Sequence, residues 1–310
     1  MSSKRRRKRP SSRSPTSRAS SSSTSSPSAE PGSATSTRAP AGVTAPSPFP
    51  GLGVTLARGL RVVGSSPVIL ATAFLGLLAT WATFVVLGAD ASPRFLAVAM
   101  AISPANLFTD VPVAFSARDP ELVLASVAGL AILRAATFSL LISLIDDGLG
   151  GTPDLRTAVR RLPRAGLTLM AVYLVEVGVV VVLLQLVAGF LGQLSLLVVA
   201  AAIYFLAFVP VVAVLEGDGL QGAFRRGARA SRLPGTRHLT LVLLYFLFLF
   251  YAASVSPFGP LAPATPTVLT WAFGLAMTFL HTGVLGGLVY RWLAVRDQVP
   301  VAQTAARARP

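Results

Sequence analysis

Three ionisable side chains sit inside long apolar runs of this 310-residue chain. Arg134 lies in LVLASVAGLAILRAATFSLLISLI, Glu176 in GLTLMAVYLVEVGVVVVLLQLVAGF and His281 in TVLTWAFGLAMTFLHTGVLGGLVY. At bilayer depth such groups are rare, and they mark solute paths, proton relays or buried ion pairs. At a rise of about 1.5 Å per residue, Arg134 is roughly 16 Å from the Ile145 end of its run. Glu176 is about 15 Å from Gly166, and His281 about 14 Å from Tyr290. All three fall near the middle of a hydrocarbon core about 30 Å thick. An unpaired arginine there costs at least ~2.5–3.5 kcal/mol on insertion scales, and pairing with Glu176 offsets part of it. Two readings stay open. One is an ion pair that fixes helix register. The other is a polar cavity, with His281 titrating, that binds a solute or relays protons.

Paired carboxylates raise a second chemistry. Asp146 and Asp147 close one apolar run, and Asp154 follows. Carboxylates at an inner membrane end can hold Mg²⁺ against a lipid phosphate. Against that, IDDGLGGTPD reads as a turn that ends one helix and caps the next. Glu216 and Asp218 read as turn residues too, with Arg225 as an electrostatic partner for Glu216. The chain holds no phosphate-binding G-x-x-x-x-G-K-[ST], H-E-x-x-H, G-x-S-x-G or dinucleotide fingerprint. Two histidines and no cysteine leave few soft metal ligands, so no metal site and no cofactor is expected.

The elements that carry these residues follow from composition. Hydrophobic residues make up 53% and charged residues 13%, against about 25% charged in soluble domains. Mean hydropathy is +0.67. A membrane helix needs about 20 mostly apolar residues. Windows 67–88, 122–145, 166–190, 194–215, 239–255 and 267–290 meet or approach that length. The expected fold is all-α: a polytopic membrane bundle of six transmembrane helices in three hairpins, within a domain spanning 51–295.

Basic residues set the orientation. The N-terminal side holds 11 of them, connection 146–165 four, connection 216–238 five and the C-terminal end four. The alternate side holds two, Arg94 and Arg118. Twenty-four against two predicts both termini, including the tail 296–310, on the cytoplasmic face of the cell membrane. The net charge of +15 is concentrated at the start, in KRRRKR at 4–9. Residues 1–50 are otherwise mostly Ser, Thr, Pro and Ala, and read as a disordered tail. A solvated, topology-setting arm is favoured there over lipid contact, and lipid contact over nucleic acid.

Each inner basic stretch precedes an outgoing span. Leu155, Ala158, Val159 and Leu162 form one apolar stripe beside Arg156, Arg160 and Arg161, with Thr152 as cap and Pro153 in the first turn. Leu220, Ala223 and Phe224 form another, opposite Arg225, Arg229 and Arg232. Arg58 and Arg61 occupy the corresponding place before the first span, related to Arg229 and Arg232 by a shift of 171. Such helices lie in the interface, with arginine reaching lipid phosphates. On the other side, FLAVAMAI at 95–102 is too short to span, and the Pro-rich 256–266 turn is its neighbour.

The segment FVPVVAVLEGDGLQGAFRRGARASR resembles a repeated signature of prokaryotic six-helix integral membrane proteins related to the membrane domain of glycerophosphoryl diester phosphodiesterases. The matching positions are Pro210, Glu216, Gly219, Ala223, Arg225 and Arg226; Gly227 stands where that group often has Ser. The resemblance implies an accessory or scaffold role without esterase activity, since no alternating strand–helix pattern of a catalytic barrel is present. The expected function is a non-catalytic membrane scaffold contacting anionic lipids, with protein partners unspecified. A small transporter or permease subunit using Arg134, Glu176 and His281 is the alternative, and a lipid-headgroup enzyme using Asp146 and Asp147 a third.

Overall fold

The structure, a computed structural model, describes residues 47–86, 120–191, 194–255 and 268–299. The connection 87–119 with its 95–102 run, the 256–266 turn and most of both tails lie outside the described residues. Among the described residues every regular element is helical. They are α1 (Leu52–Ser65), α2 (Pro67–Val86), α3 (Pro120–Gly150), α4 (Leu155–Leu191), α5 (Leu194–Leu206), α6 (Val209–Leu215), α7 (Leu220–Ser231), α8 (Arg237–Val255) and α9 (Val268–Val295), followed by a 3₁₀ turn at Arg296–Gln298.

One stretch of them, Val127–Gly150, is by itself long and apolar enough to cross a membrane. The bent pair α1 and α2 makes a second if counted as one span. Each of the six apolar windows is helical where described, with differences that have local causes. Window 194–215 is broken at Ala207–Phe208, because Pro210 has no amide hydrogen for the carbonyl a turn back. Helix α3 continues past Ile145 through Asp146 and Asp147 to Gly150, so the DDGLG stretch is helix rather than turn.

The leading helices behave in two ways. α1 ends at Ser65, with Ser66 as its C-cap, and α2 starts at Pro67 after a 90° bend. Proline suits the first turn of α2, and the Ser66 carbonyl accepts the Leu70 amide at 3.3 Å. α7 is likewise separate from α8, with Pro234-Gly235 between them and Gly235 at φ 107. The middle basic stretch is not a separate helix, because α4 runs unbroken through Pro163 for 37 residues. Its cap is Asp154, not Thr152. The Asp154 carboxylate accepts the Arg156 amide at 2.9 Å and the Thr157 hydroxyl at 2.6 Å. Those two donors hold the carboxyl below its usual range.

The helices pack closely where small residues meet. α3 runs along α4 and α2, and α1 runs antiparallel along α9, with Thr55 level with Gly287 and Gly64 with Phe279. At the latter contact Gly59 meets Gly283 and Gly287 backbone to backbone, and Thr55 meets Gly287. Small residues spaced by four allow this approach, as in membrane helix pairs. The largest core cluster gathers Phe138, Leu141, Ile145, Phe208, Val212, Leu288 and Trp292 around the ends of α3, α6 and α9.

Candidate functional site

The three ionisable candidates from the apolar runs separate into two places. Arg134 on α3 and Glu176 on α4 face each other, Nη2 to Oε2, at 3.7 Å, both nearly buried. The Arg134 guanidinium also lies 4.7 Å from the Phe138 ring centre and 5.5 Å from that of Tyr173. Beside the pair is a cavity of 10 Å³ lined also by Leu169, Val172 and Pro210. That is about the minimum for a single water. His281 is not in its lining. Nδ1 of His281 is instead 2.9 Å from the Tyr245 hydroxyl, with Phe248 edge-on at 5.7 Å.

The polar residues at the basic ends of the helices form a second, larger cluster. Trp292 Nε1 of α9 donates to Glu216 Oε1 at 3.1 Å, and Arg226 Nη1 of α7 reaches Glu216 at 3.3 Å and Asp218 at 3.2 Å. The guanidinium lies over the Trp292 ring at 5.2 Å. The partner of Glu216 is therefore Arg226 and not Arg225, which sits on the exposed face of α7. One residue along a helix is a rotation of about 100°, enough to exchange a buried face for an outer one. Gly219 starts α7, Ala223 is fully buried, and a β-carbon at Gly227 would lie 2.9 Å from a Val209 methyl.

Arg291 is entirely buried. Its guanidinium donates to the Thr55 hydroxyl at 3.1 Å and to the carbonyls of Pro50 at 3.2 Å and Arg237 at 3.0 Å. Arg237 in turn donates to the Phe49 carbonyl at 2.6 Å. Phe49 is 1% exposed, stacked on Phe208 at 5.8 Å and on His238 at 5.5 Å. Residues 47–50, expected to belong to a disordered tail, are thus a packed plug. His238 Nε2 donates to the Tyr204 carbonyl at 3.0 Å, which fixes its tautomer. Burial, aided by the Arg291 cation, pushes its pKa down to about 4. Tyr204 also donates a short hydrogen bond to the Ser231 carbonyl.

Asp146 and Asp147 share one guanidinium. Arg161 reaches Asp146 at 3.2 Å and Asp147 at 3.6 Å. The cation on this carboxylate pair is an arginine of the chain itself, and Arg161 leaves the set turned outward. Arg58, Arg61, Arg156, Arg160, Arg225, Arg229 and Arg232 are all exposed. Of these contacts, the plug, buried Arg291 and the glycine contact were missed in the sequence. The only signals for them were an aromatic among prolines and the i, i+4 pair Gly283/Gly287. Comparison with protein-family models, curated proteins and solved structures gives no match.

Proposed function

We propose that the chain is a non-catalytic, multi-pass membrane protein, a scaffold that contacts anionic lipids through basic helices at one face of the membrane. The observation that carries this reading is the meeting of the basic helix ends in one layer. Asp146 at the end of α3 meets Arg161 at the start of α4. Glu216 at the end of α6 meets Trp292 at the end of α9, and Arg291 beside it meets Thr55 of α1 and Arg237 of α8. These are the ends that the arginine distribution assigns to the cytoplasmic side. Exposed arginines of α4 and α7, Arg156, Arg160, Arg225, Arg229 and Arg232, flank that layer, each worth about 1 kcal/mol near an anionic surface. Away from it, Leu75, Leu124, Leu167 and Leu197 are 63%, 71%, 77% and 65% exposed, a pattern suited to hydrocarbon.

The six-span arrangement, the resemblance to membrane domains of glycerophosphoryl diester phosphodiesterases and the cytoplasmic termini belong to the same proposal. The cavity at Arg134 and Glu176 has room for about one water, which favours a structural ion pair over a solute path. Two measurements test the proposal. The chain should stay with membranes after alkaline extraction, and a C-terminal epitope should be reached only after cells are opened. Release into the soluble fraction, or labelling of intact cells, would overturn it.

A further inference from the structure

Arg291 and Arg237 are two neighbouring cations without a counter-charge. Arg291 is fully buried, and it donates to the Thr55 hydroxyl and to the carbonyls of Pro50 and Arg237. Its Nη1 has no hydrogen-bond partner among the described residues. Arg237 is exposed, with Nη1 donating to the Phe49 carbonyl at 2.6 Å. Neither arginine forms a salt bridge among the described residues. Buried charges are ordinarily paired, because an ion loses its hydration on leaving water.

An apolar groove of 220 Å³ runs away from these two cations between α1, α8 and α9. On α8, Arg237, Leu241, Leu244 and Phe248 stand at i, i+4, i+7 and i+11, one face of the helix. On α9, Leu280, Val284 and Arg291 stand at i, i+4 and i+11, again one face. The apolar members of both stripes line the groove, and leucines of α1 close its third side. Phe248 lies 11 residues after Arg237, and Leu280 lies 11 residues before Arg291, each roughly 16 Å from its arginine. Both stripes therefore begin on an arginine at the same end of the groove. α1 descends from that end too, with Thr55 at Arg291 and Gly64 at Phe279. Leu244 and Leu280 are 46% and 37% exposed, so the groove opens sideways.

We propose that the missing counter-charge is the phosphate of an anionic phospholipid, seated on Arg237 beside Arg291, with one acyl chain in the groove. The inference rests on the membrane reading above and names a lipid site within it. Arg237 is the contacting group, because it is exposed, and a guanidinium fork matches phosphate oxygens bidentately. Arg291 lies against the Arg237 backbone and adds its charge from behind, without touching the lipid. The polar side chain in the lining, Tyr245, is engaged by His281, so a polar solute would lose hydrogen bonds on entry. The length of the stripes is about half of the ~30 Å hydrocarbon core, the reach of one acyl chain below its phosphate. Inorganic phosphate would meet the cations and leave the groove unfilled.

The test is quenching of an indole in the full chain in lipid nanodiscs. Trp81→Phe and Trp271→Phe clear the background, the buried Trp292 stays, and Phe248→Trp puts a reporter in the groove. Leu244→Trp is a second groove reporter, should the first variant fold poorly. Brominated phosphatidylglycerol in a phosphatidylcholine background should reach half-maximal quenching at roughly a tenfold lower mole fraction than brominated phosphatidylcholine. Arg237→Gln should remove most of that preference, and Arg237→Lys, which keeps the charge, should retain most of it. A control, Leu247→Trp, faces outward and should be quenched by both lipids alike. If the control is quenched but the groove reporters are unquenched or show no preference, the lipid-site proposal fails and the membrane reading stands. A preference unchanged in Arg237→Gln overturns the headgroup assignment. Loss in Arg237→Gln and Arg237→Lys alike overturns it too, since the Phe49 hydrogen bond and not the charge would then be at work. An unquenched control overturns the membrane reading itself.

Discussion

Gly59 of α1 and Gly283 of α9 touch through their backbones, and a β-carbon on Gly59 would collide with the Gly283 carbonyl and lie 2.5 Å from the Gly287 amide nitrogen. Backbone atoms cannot swing aside as a flexible side chain can. This contact therefore decides where α1 lies, and with it the Thr55–Arg291 hydrogen bond.

Gly59→Ala should destabilise the fold by about 1–3 kcal/mol or more, the range for overpacking a tight contact. Gly53→Ala, with nothing within 4 Å, should be neutral or slightly stabilising. Thermal melts in detergent compare the two. Equal melting temperatures would contradict the contact.

Glu176→Leu should lower stability by roughly 3–5 kcal/mol, because it leaves the Arg134 charge buried without its carboxylate. Arg134→Met together with Glu176→Leu should recover most of the loss, since no charge then remains. The charge swap Arg134→Glu with Glu176→Arg should express better than either single change. Yield of monodisperse protein compares all five variants.

Arg226→Met should cost about 1.5–3 kcal/mol through lost charge-assisted hydrogen bonds. It should also shift Trp292 emission, because that ring lies under the guanidinium. Arg225→Gln, one residue earlier and exposed, should change stability by less than about 0.5 kcal/mol. Denaturant titration with fluorescence detection separates the two.

His238 gives stability a pH dependence. Its pKa is about 4 in the fold against 6.5 when exposed, so the unfolded chain takes up a proton first as pH falls. Its contribution is complete above pH 6.5 and is lost between 6.5 and 4, on the order of 3 kcal/mol in all. His238→Phe keeps a ring against Phe49 and Phe208 and should flatten that slope. Melting curves of both proteins across pH 4–7.5 check it. Equal slopes would contradict a buried, neutral imidazole.

How much of this was legible in the sequence follows from what a linear pattern encodes. Apolar length marks the helical segments, because each carries its own signal. Counting residues from a helix end gives depth, and depth put Arg134, Glu176 and His281 at one level. It does not give rotation about the bundle, and His281 sits with Tyr245 instead. The choice between Arg225 and Arg226 is again a matter of rotation. Asp154 outcompetes Thr152 as cap because its carboxylate reaches both the Arg156 amide and the Thr157 hydroxyl. Phe49 has no periodic neighbours, and its partners lie far along the chain, so nothing local announces that it is buried.

The plug at Phe49 and Pro50 also sets an order of events during synthesis. Pro50 waits for Arg291, 241 residues later, and Phe49 for Arg237, 188 residues later. At translation rates of about 5–20 residues per second, the first of those gaps is roughly 12–48 s. Until α9 leaves the ribosome, the beginning of the protein lacks its final clasp. Docking of Phe49 and Pro50 is thus one of the last steps of biogenesis, and a nascent chain stalled before α9 would hold them without Arg291.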